Sequence, residues 1–560
     1  MLTVSNPARQ PAGQARPDAS LPCARDRLAL VTLVLVVLLA ANTPARPVGA
    51  VAPAPAASYR LDAAVDLEHG TLTVSESVQF RNVVGAALDT LVFRVVPNTL
   101  PGFELSMVTV DGQPADRRLD GSVLEVVLPR QLPPGQSTQV QLQFALVVPR
   151  QPGRMAATAR SMVLGYWFPM LAVHRGDWDR RQFVDVGDAT FSEVADFDLT
   201  VTTSSPAHVV ATGQRTEQDG QRWRFQGSSV RDLALAISRD VVTRRATVAG
   251  TTLDVAAFTD ERADFYVTRA AEFLRWSNER LGPYPYPVLV VADADLPASF
   301  GGLEYPGLIL LSRAYPIGVP PEGGGLDGLY LHEILHQWFY SLVGNDQIAD
   351  PWLDEALVTY LAYRYYREVR PDLAPGVYER TIAGGPGGAV DTTVYDYPSD
   401  APYFGVVYRR GARFLEMLHA RIGDEPFWSL LREHVATYRD RIASPRSFLD
   451  RALAASPATV GPLIAEYFSY GAFRTATPRT WTVEAPSSTW TGMAHVFVAA
   501  EFPVTRVEVL LDQRRMADGP SNNLTLDLAD VEPGSYVLLV RVWDHDNVLF
   551  ERGRRVEISR

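Results

Sequence analysis

The chain has 560 residues, 47% hydrophobic and 21% charged, which at about 150 residues per domain is enough for roughly three or four globular domains and excludes a fibrous or low-complexity protein. Its formal charge of -12 gives no positive field to gather nucleic acid or anionic membrane. All 52 basic residues are Arg, so lysine-dependent classes (pyridoxal-phosphate enzymes, Schiff-base aldolases, P-loop nucleotidases) are excluded, and the single cysteine, Cys23, excludes a disulfide framework or a cysteine zinc site.

In chain order, Leu28 to Ala41 is a 14-residue apolar run behind Arg25 and Arg27, followed by the small residues Val48-Gly49-Ala50. A positive flank, a short apolar core and a small-residue cleavage site read as a secretory signal over 1–50; left uncleaved, the same run is a membrane anchor. The expected product is extracytoplasmic, secreted or tethered once. Residues 51–58 (VAPAPAAS) form a linker. From 59 to 247 apolar and polar residues alternate, as in Leu72, Val74, Val78, Phe80 and Val140, Leu142, Phe144, which predicts half-buried antiparallel strands.

The period then changes. Asp260 is placed to cap a helix ending at Leu281 before Gly282, and Val288 to Val291 and Leu308 to Leu311 read as strands. Gly323-Gly324-Gly325 precedes a helix predicted over 326–343, and Asp350-Pro351 opens another through Val369. Helical periodicity resumes from Gly411 to about Tyr470. After a Thr/Pro/Ser-rich stretch at 475–489, alternation returns with the Pro533-Gly534 turn and a strand over Tyr536 to Trp543.

His332-Glu333-Ile334-Leu335-His336 falls inside the 326–343 helix. Positions i and i+4 share a face, so both imidazoles can converge on one ion while Glu333 stands beside them to take a proton from a water. Glu355 follows His336 after 18 intervening residues, at the start of the next helix. Two His and one Glu leave a fourth tetrahedral position open, the arrangement of a catalytic zinc site, although cobalt or manganese suits the same ligands. Glu304 sits between Gly301-Gly302 and a predicted strand, where backbone can approach a ligand closely. The other seven His show no ligand spacing and read as surface or satisfied polar residues. Tyr166-Trp167-Phe168 and Tyr363 to Tyr366 read as core, and Gly384 to Gly388 as a loop near the cleft.

Three segments, HEILHQWFYSLVGNDQIADPWLDEA (332–356), FGGLEYPG (300–307) and YRRGARFLEML (408–418), resemble in order and spacing the aminopeptidase-N-like branch of the gluzincin zinc metallopeptidases, which includes leukotriene hydrolase. The resemblance extends over about 59–475. It implies one zinc ion held by His332, His336 and Glu355, a general base at Glu333, an oxyanion-stabilising Tyr408, and Glu304, flanked by Gly301 and Gly302, gripping a substrate's free α-amino group. It implies peptides as substrates; the acidic charge leaves no nucleic acid partner expected, and membrane contact is expected only through an uncleaved N-terminal segment.

The expected architecture is multidomain α+β: an N-terminal antiparallel β domain (59–247), a thermolysin-like α+β zinc peptidase domain (248–475) and a C-terminal immunoglobulin-like β-sandwich (487–560). The chain departs from the family pattern at Leu303, Tyr305, Arg410, Asp354 and Ala356. It shows no β-domain motif for a second amino-terminus contact, and it looks like a short form without the helical solenoid of larger members. An aminopeptidase is therefore the expected activity, with an endopeptidase on the same scaffold and a catalytically silent β-rich binding protein as alternatives.

Overall fold

The computed structural model describes residues 54–559 apart from 159, 298, 318–324, 470–480, 486–488, 513 and 545–548. The apolar run at 28–41 with its cleavage site, the glycines at 323 and 324, and most of the Thr/Pro/Ser-rich stretch lie outside these residues. No helix among the described residues is long and apolar enough to cross a membrane.

The N-terminal alternation builds strands. Ala57–Asp66 alternates buried and exposed residues and lies near the middle of an eight-stranded sheet, antiparallel to Thr71–Arg81 and parallel to Ala195–Thr203. Two four-stranded sheets complete the domain. Its inward side chains, among them Leu61, Val78, Leu142, Phe197 and Leu199, form one core.

A five-stranded sheet follows, in the order Val242–Val248, Thr251–Ala257, Val288–Ala294, Leu308–Ser312, Gly302–Tyr305. The strand Val242–Val248 pairs along its length with Thr251–Ala257, so the change of sheet falls before 242 rather than at 247. Thr251–Ala257, Val288–Ala294 and Leu308–Ser312 run parallel, and Gly302–Tyr305 closes one edge antiparallel. Both faces are covered, which is why the central strands read as continuous apolar runs. Leu289, Val291, Ile309 and Leu311 face the helices, whereas Val288, Val290, Leu308 and Leu310 face the N-terminal core.

Helix α1 (Asp260–Leu281) is capped by the Thr259 side chain, one residue before the expected cap, and ends at Gly282 with φ 100°. Helix α2 (Leu326–Leu335) stops well short of 343. Its last amides tighten onto i−3 carbonyls, Gln337 to Ile334 and Trp338 to Leu335. The chain then turns back so that Val343-Gly344 pairs with Arg441-Ile442. Helix α3 (Trp352–Val369) is buried over nearly all of its length.

The predicted helical region after 411 is four helices, Gly411–Ile422, Asp424–Tyr438, Pro445–Ala455 and Pro457–Tyr467, with the Arg441-Ile442 strand between the second and third. From Trp481 a three-stranded and a five-stranded sheet enclose Val496, Val498, Val509, Leu526, Leu538 and Val540. This module docks on the preceding helical region through the Arg441–Asp512 ion pair (2.7 Å) and the bond from the Glu551 amide to Asp450 Oδ2 (3.1 Å).

Candidate metal centre and peptide site

Helix α2 presents His332 and His336 on one face, and the first turn of α3 presents Glu355 to them. The two Nε2 atoms are 3.1 Å apart, and Glu355 Oε2 lies 3.2 Å from that of His332 and 3.3 Å from that of His336. His336 and Glu355 are buried, while His332 keeps 18% of its side chain exposed and marks the open side. His336 Nδ1 faces the Phe339 carbonyl at 3.2 Å, which as an N–H donor leaves Nε2 free as a ligand. Burial opposes charge at both Glu355 and His336. The imidazoles outweigh it at Glu355 and hold its pKa far below the carboxylate range; the Glu355 and Glu304 carboxylates outweigh it at His336 and hold that pKa well up. Three ligand atoms that converge within 4.8 Å of one another fit a divalent ion, and two imidazoles with one carboxylate fit zinc.

Helix α3 is positioned from outside. Asp354 accepts from Asn345 Nδ2 (2.9 Å), Gln347 Nε2 (2.5 Å) and the Glu355 amide (2.9 Å). Gly411 touches α3 so closely that a Cβ there would stand 2.5 Å from the Ala356 Cβ. Asn345 and Gln347 carry no spacing signal that marks them in the sequence.

Glu333 is buried beside the triad, and its Oε2 has no hydrogen-bond partner among the described residues. Burial first, then the Glu355 and Asp188 charges, push its pKa to about 8. The room it occupies exists because residue 302 is glycine, where a Cβ would collide with Glu333 Oε1. Gly301, at φ 70°, turns the chain into that edge strand. Tyr408 lies in a π-helical segment, Phe404–Arg410, leading into Gly411–Ile422, and its ring stacks on His332 at 5.8 Å with the planes 8° apart. Gly385 and Gly405 pack the predicted loop at 384–388 against this segment.

Glu304 lies on the edge strand, buried, with its neighbours set by Gln337, which accepts from the Gly307 amide (2.8 Å) and donates to the Tyr305 carbonyl (3.3 Å). Beside it stands Asp188, a residue the sequence did not single out. Carboxylate oxygens of Asp188, Glu304 and Glu355 lie within 4.8 Å of one another. Arg154 Nη1 pairs with Asp188 Oδ1 at 2.5 Å. Burial drives the pKa of Glu304 well up and that of Asp188 up as well. One guanidinium among these acids leaves the pocket short of positive charge. Asp188 escaped notice because it belongs to 172–194, where little pairing gives a period to read.

Of the other histidines, His419 bonds Tyr360 Oη (2.8 Å) and Asp424 (2.6 Å), but His434 is buried with neither ring nitrogen partnered, contrary to the expected satisfied role. His545 lies outside the described residues.

Residues 265–467 match the Peptidase family M1 domain, a span that contains all six residues predicted for the chemistry. Relatives include aminopeptidase N of Lactobacillus delbrueckii subsp. lactis, 29% identical over 192 residues, 31% of this chain and 22% of that protein. Human aminopeptidase B is 26% identical over 198 residues, 32% of this chain and 29% of that protein. A probable aminopeptidase 1 of Sulfurisphaera tokodaii is 28% identical over 106 residues, 17% of this chain and 14% of that protein. The chain thus spans less than a third of the length of these relatives. An M1 zinc metallopeptidase from Deinococcus radiodurans has the same fold, with a TM-score of 0.58 at 21% identity over 77% of this chain and 96% of that one.

Proposed function

We propose that the protein is an exported zinc aminopeptidase, releasing N-terminal residues from peptides. The observation that carries this reading is the acid pocket of Glu304 and Asp188 opening on the His332–His336–Glu355 triad. A peptide added along the edge strand Gly302–Tyr305 would bring its terminal ammonium to that pocket. His332, His336 and Glu355 would hold zinc, which when bound supplies a Lewis acid that activates water and polarises a carbonyl.

The remaining steps belong to the chain. The unpartnered Glu333 Oε2 takes a proton from the attacking water and returns it to the leaving amine. Tyr408 Oη donates to the oxygen that becomes anionic. Glu304 and Asp188 fix the cleavage point by pairing with the ammonium, a charge-assisted contact that a blocked N-terminus loses. Export is supported by the short apolar run behind Arg25 and Arg27.

The test is a panel of free and N-acetylated peptides with and without chelator. Cleavage confined to free amines and abolished by chelator is expected. Equal cleavage of acetylated peptides would leave an endopeptidase, and a preparation devoid of zinc and activity would leave a binding protein.

A further inference from the structure

Tyr340, in the turn after α2, has φ 87°, a left-handed conformation that glycine adopts freely and a bulky residue does not. Such a conformation persists only where surrounding structure imposes it. Here the N-terminal β domain does so from two adjacent residues. Arg231 Nε donates to the Tyr340 carbonyl at 2.9 Å, and Tyr340 Oη donates to Asp232 Oδ2 at 3.3 Å. All three residues are buried, Asp232 completely. The other guanidinium nitrogens of Arg231 hold the Ser192 carbonyl (2.6 Å) and the Arg441 carbonyl (3.1 Å). Gly344 lies flat against the guanidinium, where a Cβ would collide with it.

The residue before Tyr340 is Phe339, whose carbonyl receives the Nδ1 of His336. The peptide plane that carries that carbonyl also carries the Tyr340 amide, which is tied to the Val343 carbonyl at 2.9 Å. Rotating Tyr340 out of its left-handed conformation would disturb this plane and the orientation of the His336 ring. We propose that Arg231 and Asp232 are positioning residues of the metal site, clasping Tyr340 by its carbonyl and its hydroxyl so that the Phe339 carbonyl stays aimed at His336. The N-terminal β domain thereby sets metal affinity without touching the metal. The inference rests on the zinc site proposed above.

A plain strut between domains would lower stability when cut and leave affinity alone, so the readout is zinc affinity. Arg231→Met, Asp232→Asn and Tyr340→Phe are compared with wild type in the full chain, folded by circular dichroism, by competition with a chromophoric chelator. Zinc should bind about 10- to 100-fold more weakly in Arg231→Met, the range measured for lost outer-shell partners, and more weakly than wild type in the other two. The cobalt-substituted spectrum should shift. Tyr340→Gly in the Arg231→Met background should recover affinity, because glycine needs no clasp to hold φ 87°. If Arg231→Met does not fold, Asp232→Asn and Tyr340→Phe decide the matter. Folded variants with wild-type affinity and spectrum overturn the clasp alone, and a wild type that binds no zinc overturns the metal site with it.

Discussion

Glu333 and Glu355 are both buried carboxylates near the His336 imidazole, yet the fold drives their pKa values apart. Glu355 is held ionised by His336 and His332, whereas Glu333 is raised to about 8 by burial and its acidic neighbours. That division matches a ligand and a base, and single substitutions separate the two. Glu355→Ala leaves two protein ligands, so zinc binding should weaken sharply while the fold persists; full occupancy at nanomolar free zinc would remove Glu355 from the set. Glu333→Gln keeps shape and zinc, and its kcat should fall at least ~100-fold, which turnover of a zinc-loaded preparation reads directly. For the ammonium pocket, Glu304→Ala should cost about 10- to 150-fold in kcat/KM on free-amine peptides, the equivalent of ~1.5–3 kcal/mol for a charge-assisted bond. N-acetylated peptides should be poor substrates for wild type and variant alike, and an unchanged kcat/KM on free amines would take Glu304 out of the site.

The elements that carry the chemistry were legible wherever their signal was periodic or local. His332 and His336 share a helical face whatever follows them, and the edge position of Gly302–Tyr305 agrees with its resemblance to the family motif. The end of α2 was not legible, because residues 336–343 are apolar enough to continue a helix and the turn is imposed by long-range partners at Arg231, Asp232 and Arg441. Asp188 and the Asn345–Gln347 brace were hidden for the same reason, since their meaning lies in tertiary contacts. The sequence reads Gly302 as room for a ligand, and what stands against it is the side chain of Glu333, the proposed base. Gly302→Ala should therefore displace Glu333 and lower kcat at least ~10-fold with zinc content unchanged, since small displacements of a catalytic group are costly. Turnover within twofold of wild type would show that the strand yields instead.

Across the whole molecule, stability should show two buried groups with opposite demands on pH. Glu76 occupies an inward position of Thr71–Arg81, opposite Leu61 and Leu142, with neither carboxylate oxygen partnered, and burial raises its pKa well above 4.5. The unfolded chain releases that proton at lower pH, so the folded state loses stability as pH rises above about 4.5. His434 packs between Tyr438 and Phe448, and burial, with the Arg451 charge, lowers its pKa to about 3. Here the unfolded chain takes up the proton first, so stability is lost as pH falls below 6.5, by about 2 kcal/mol between pH 6.5 and 5. Glu76→Met should therefore raise the melting temperature more at pH 8 than at pH 5. His434→Phe should do so more at pH 5 than at pH 8. Both replacements suit their apolar surroundings, so neither benefit should be lost to an unsatisfied polar atom. Calorimetry of the two variants and wild type at both pH values checks the crossed pattern. Equal shifts at the two pH values would mean that neither group changes protonation on folding, and that the substitutions act through packing alone.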